Sequence, residues 1–135
     1  MSKTWSEGPK MNTKRWRHAC FADEATSSIF VIGGYDDLWN ELNSTEKWTF
    51  GQNSWEPSAN LPVAIEQSSA VSSDTDEFIG YMAGGNTGTH PDIRTKYIYG
   101  LRRREKTWIK LNKTMKMGRR RHSLFNIPAN QVLGC

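Results

Sequence analysis

Three histidines and two cysteines are the side chains of this 135-residue sequence best suited to metal or nucleophilic chemistry, and their spacing argues against both. His18, His90 and His122 are scattered. His18 with Cys20 supplies two ligands, short of the four that a structural zinc takes. Cys20 and Cys135 are not in C-x-x-C spacing, and two cysteines make no disulfide framework, so reduced thiols are expected. The acidic groups Asp36-Asp37 and Asp74, Asp76, Glu77 lie in polar stretches, where carboxylates are solvated. No Gly-rich phosphate loop and no nucleophile elbow occurs, since Gly84-Gly85-Asn86 reads as a turn. The expectation is no catalytic residue, no metal and no cofactor.

Binding chemistry is better represented. Tyr35-Asp36-Asp37-Leu38-Trp39 is an acidic-aromatic segment of the kind that anchors a protein partner, because aromatic side chains dominate hot spots. The alternative for Trp39 is packing on a neighbouring sheet. Asn86, His90 and Arg94 fall in a second polar stretch and complete the candidate partner-binding set. Arg102-Arg103-Arg104 with Lys106, and the run from Lys116 to Arg121, match a phosphate-binding stripe with Tyr97, Tyr99 and Trp108 nearby. Those rings stand at repeat positions, so a solvated connection is the preferred reading and nucleic acid the alternative. Net charge is +4 and mean hydropathy −0.70. No apolar run approaches the roughly 18 residues of a membrane span, and residues 1–14 lack a signal-like apolar centre. The expected setting is cytoplasmic and off the membrane, where the sequons at Asn43 and Asn112 go unused.

What positions these residues is a repeat. Ile29-Phe30-Val31-Ile32-Gly33-Gly34 and Phe78-Ile79-Gly80-Tyr81-Met82-Ala83-Gly84-Gly85 both close an apolar run on Gly-Gly, with Gly33 and Gly84 51 residues apart. Trp5, Trp55 and Trp108 keep the same beat, and Gly134 echoes it a third time. Residues 44–50 and 95–99 alternate in side-chain character and are rich in Thr and aromatics, which predicts strands. Shorter strands are expected at residues 18–21, 55–57, 69–71, 108–111 and 122–125. Loops are expected at residues 23–28, 35–43, 72–77 and 86–94, and a long basic connection at 100–107. No sustained 3.6-residue period appears. The fold class is all-β, about four strands per unit, with sheets stacked so that each buries its neighbour's face.

This pattern resembles the kelch repeat. Gly33, Gly34, Trp48 and Trp55 carry the resemblance in one unit, and Gly84, Gly85, Tyr97 and Trp108 in the next. The Arg-x-x-His opening is similar too, at Arg15–His18 and Arg119–His122, while Ile65 and Ser68 replace it in between. The resemblance implies four-stranded antiparallel blades of a β-propeller, with these residues structural and the Arg and His bonding to adjacent units. It divides the chain into residues 1–14 (outer-strand tail of a preceding blade), 15–58, 59–114 and 115–135 (a truncated third repeat). A propeller needs about four to eight blades, so the propeller is incomplete and the expectation is a fragment or a ring closed by other copies. Open blade faces then invite self-association. The resemblance also implies a protein–protein interaction module, with loops at one mouth doing the recognition. Substrate recruitment to a cullin ubiquitin ligase through a BTB assembly comes first among its uses, and actin binding second.

Overall fold

The computed structural model describes residues 4–88 and 93–126. Its first sheet is a four-stranded antiparallel meander of β1 (Ala19–Asp23), β2 (Ser28–Ile32), β3 (Thr45–Thr49) and β4 (Glu56–Ser58), in that spatial order. The second begins with β5 (Ser69–Ser72) and β6 (Phe78–Ala83). A small hairpin follows, β7 (Asn86–Thr87) with β8 (Ile93–Arg94), before β9 (Tyr97–Arg102) and β10 (Trp108–Thr114) complete the sheet in the order β10-β9-β6-β5. The chain is all-β, with two sheets of kelch-blade topology that close no ring among the described residues.

Alternation explains which faces are buried. Ala19, Phe21 and Asp23 point inward from β1, while Cys20 and Ala22 point out. Phe21, Phe30 and Ile32 of the first sheet meet Ile79, Met82, Tyr99, Leu101 and Trp108 of the second in one core. Leu61 and Ile65, from the connection between the sheets, are fully buried in it. Phe21 and Phe30 stack with centroids 5.0 Å apart. The Phe21 ring lies so close over Gly80 that a Cβ there would sit 2.7 Å from it. Gly80 therefore serves the packing of one sheet on the other.

The Gly-Gly turns are held by the next unit. Gly34 N–H donates to Ile65 O at 2.9 Å, and Gly85 N–H to Arg119 O at 2.8 Å. A Cβ on Gly34 (φ +90°) would lie 2.5 Å from Trp16 O, and one on Gly85 (φ +98°) 2.8 Å from Glu66 O. Only glycine tolerates both the left-handed backbone and that approach.

Several elements depart from expectation. Within the stretch expected to be a loop, Asn86–Thr87 and Ile93–Arg94 pair as β7 and β8. Residues 100–102 belong to β9, which shortens the basic connection to a turn at 103–105. Residues 122–125 form no strand; Leu124 N–H donates to the side-chain Oγ of Ser69 at 2.9 Å and not to a backbone ladder. Residues 4–14 form no strand either. Pro9 O accepts from Trp55 Nε1 at 2.9 Å, so this segment lies against the first sheet, while Trp5 is fully exposed. The ladder also shifts the repeat register: Ile29 pairs with Trp48 and Gly80 with Leu101. Leu101, and not Tyr97, is thus the ladder counterpart of Trp48.

Candidate partner-binding surface

Successive connections of an antiparallel meander leave from opposite ends of the sheet. The turns at residues 23–28 and 72–77 therefore lie at the opposite end of the sheets from residues 35–43 and 86–88, so the four expected loops do not gather at one mouth. The second pair lies beside the entry segments at 15–18, 65–68 and 119–122, and these together make one face.

Tyr35 is tied to that face by its backbone, exchanging two hydrogen bonds with Trp16 at 3.0 and 2.9 Å. Its ring is buried, and its hydroxyl donates to Glu41 at 3.3 Å. Burial, with the carboxylates of Glu66 and Glu41, pushes the Tyr35 phenol up. Asp36 shapes the loop beyond. Its carboxylate accepts from Leu38 N–H at 2.9 Å, Asn40 N–H at 2.8 Å and Asn40 Nδ2 at 2.9 Å. The Asn40 side chain and backbone hold the Asp36 carboxyl below its usual range. Asp37 is exposed, with Lys14 Nζ 3.8 Å away.

At the loop tip Leu38 is 77% and Trp39 65% exposed. Trp39 packs edge-on against Trp16, 4.5 Å between centroids, in a left-handed conformation (φ 64°). It contacts its own unit, and most of its surface stays open. Arg17 lies 4.6 Å over the Trp16 ring and 3.6 Å from the buried Glu66 carboxylate. In the second unit Asn86 is buried, with its backbone paired to Glu66, and Arg94 is exposed. His90 lies outside the described residues.

The remaining sequence candidates sit in the framework. Arg15 donates to Gly33 O and Ser44 O, each at 3.0 Å, and to Glu46 Oε1 at 2.6 Å. These partners belong to its own unit and not to an adjacent one, because the chain enters β1 directly beside the open end of the β2–β3 connection. Burial drives the Glu46 carboxyl up, but Arg15 and the N–H groups of Asn12 and Thr13 outweigh it and hold it low. Burial first, then the nearby Arg15 guanidinium, lowers His18. Burial and Arg119 do the same to His122. Trp55 and Trp48 are half-buried, Trp108 is buried, and Arg119 is exposed.

Trp16, Arg17, Glu41, Glu46 and Glu66 had gone unnoticed in the sequence, as had a row at positions 17, 67 and 121. Arg17, Gln67 and Arg121 all adopt φ of 53–54°. Gln67 N–H donates to Arg17 O at 2.9 Å and Arg121 N–H to Gln67 O at 3.0 Å. Each stands directly before His18, Ser68 or His122, and that constant offset was the available signal.

The recurring four-stranded topology, the Gly-Gly turns gripped by the following segment and the backbone row between the sheets are consistent with kelch blades. In agreement, a profile of the Kelch motif matches residues 26–62. The chain is also similar to Kelch-like protein 35 of Homo sapiens, 30% identical over 69 residues. That alignment covers 51% of this chain and 11% of the relative, so the chain spans a small part of the protein it matches. Among the described residues no helix is long and apolar enough to cross a membrane.

Proposed function

We propose that this chain is a protein-recognition module, that its units are residues 15–58 and 59–114, and that its primary contact is the loop at residues 35–43. The carrying observation is that Leu38 and Trp39 stand exposed on a loop fixed by three hydrogen bonds to Asp36. A rigid, exposed aromatic gives large contact area at low entropic cost, which is what an interface anchor needs. Asp37 and Arg94 contribute rim charge, and Asn86 anchors the neighbouring hairpin through its backbone pairing with Glu66. The role is binding and not catalysis, in a cytoplasmic setting. Within a longer protein it would select substrates for a cullin ubiquitin ligase; this rests on the family resemblance alone.

Quantitative affinity capture from cell extract tests the reading, comparing the wild-type chain with L38A/W39A. Loss of the captured proteins at unchanged melting temperature supports it. An unchanged set refutes the loop as the contact. Cullin among the captured proteins supports the ligase role, whereas co-sedimentation with actin filaments replaces it with the cytoskeletal one.

A further inference from the structure

The two sheets end on very different edges. The edge strand of the first, β4, is three residues long, contains Pro57 and carries Glu56, which pairs with Lys47 at 3.6 Å. A short strand with a proline is a blunted edge. The edge strand of the second, β10, runs for seven residues without proline, with a register shift between Lys110 and Thr114, and its outer side has no strand partner among the described residues. The repeat itself does not demand a long edge strand, since the first sheet ends on a short, blunted one.

Charge sets this edge apart as well. Residues 94–121 contain twelve lysines and arginines against one acid, Glu105, while residues 19–88 contain eleven acids against Lys47 alone. Lys110 and Lys113 stand exposed on β10, with Lys96 and Lys116 exposed at its end. Lys110 Nζ lies 4.2 Å over the ring of Tyr97, which is 39% exposed. Beside that ring a groove of about 380 Å³ is lined by Val63, Ile93, Lys96, Tyr97 and Gly118.

We infer that β10 is a docking edge for an extended acidic polypeptide segment, which adds to the sheet as a fifth strand. Its backbone completes the ladder, its carboxylates meet Lys110, Lys113 and their neighbours, and an apolar side chain enters the groove beside Tyr97. A nucleic acid would use the same positive charge, but it cannot complete a peptide ladder. Tyr97 is also a single exposed ring, where stacking of successive bases needs several. This surface is separate from the loop at residues 35–43, so either can fail without the other.

The test is fluorescence anisotropy on the full chain at low salt with a labelled alternating Glu-Val peptide. Binding is expected, together with slowed amide exchange along β10. K110T/K113T, which keeps strand propensity, should weaken binding about ten-fold without lowering the melting temperature. The same peptide with proline in place of valine and N-methylglutamate in place of glutamate, equal in charge but with no backbone N–H to donate ladder bonds, should not bind. Absence of binding at low salt overturns the inference and leaves the lysines as guards against edge-to-edge aggregation. It is equally overturned if the proline peptide or an oligothymidylate binds as well as the Glu-Val peptide, or if β10 exchange is unchanged in the complex.

Discussion

Glu46 is a carboxylate taken almost wholly out of water, and three donors make that tolerable: Arg15 Nη2 at 2.6 Å, Asn12 N–H at 2.7 Å and Thr13 N–H at 3.0 Å. Breaking a buried pair from one side strands the other charge, at about 3–5 kcal/mol. Arg15→Ala should therefore remove much of the stability of a domain this size, while Glu46→Gln, which keeps the shape and leaves the Arg15 guanidinium still bonded to Gly33 O and Ser44 O, should cost less. Urea unfolding of both variants checks the ordering. Gly34→Ala should also be severe, because the left-handed backbone adds about 1–3 kcal/mol of strain to the contact with Trp16 O. At this scale the Gly-Gly pairs and Arg-x-x-His were legible because they recur. Glu46 was not, since its ladder counterpart in the second sheet is Tyr99, opposite Met82 as Glu46 is opposite Val31. Nothing in the spacing marked a side chain that only one unit uses.

The entry segments before β1 and before the third unit share an electrostatic arrangement. Burial and an arginine three residues earlier lower His18 and His122 from the ordinary 6.5, so the fold prefers the neutral imidazoles. Their stabilisation is complete above pH 6.5 and is lost as the pH falls through the lower folded values. Glu46, held below its ordinary 4.5, adds a second loss at still lower pH, as it takes up its proton. The melting temperature should hold steady above pH 6.5 and decline in two stages below it, and H18Q/H122Q should flatten the upper stage. The loop at residues 35–43 behaves differently. Its Asp36 is a scaffold for Leu38 and Asn40 and touches no core residue, so Asp36→Ala should weaken partner capture while leaving the melting temperature unchanged. Strands that end in Gly-Gly could be read from the sequence, because each is a nearly continuous apolar run closed by the glycine pair. The β7–β8 hairpin could not. Two-residue strands are too short for a period to show, and their pairing depends on Asn86 being anchored to Glu66 across the sheet boundary.

The two sheets share one core, and neither buries its inner face without the other. The outer face of the first sheet remains open around Ile29, Trp48 and Phe50, the last 77% exposed, so the chain should sediment with concentration-dependent association that I29T/F50S reduces. Inside the molecule the coupling is stronger. Phe21 comes from β1, yet its ring is seated on Gly80 of β6, at a distance that leaves no room for a side chain there. The backbone row through Arg17, Gln67 and Arg121 fastens the same boundary at its other end. If the sheets were independent, Phe21→Ala would loosen the first and spare the second. Because they pack into one cluster with Leu61 and Ile65, the cavity should be felt by both, at about 3–5 kcal/mol. Amide exchange gives the answer directly: in Phe21→Ala, protection in β6 and β9 should fall by the same free energy as in β1 and β2. A loss confined to the first sheet would mean that each blade is its own folding unit, and that the shared core only joins them after the fact.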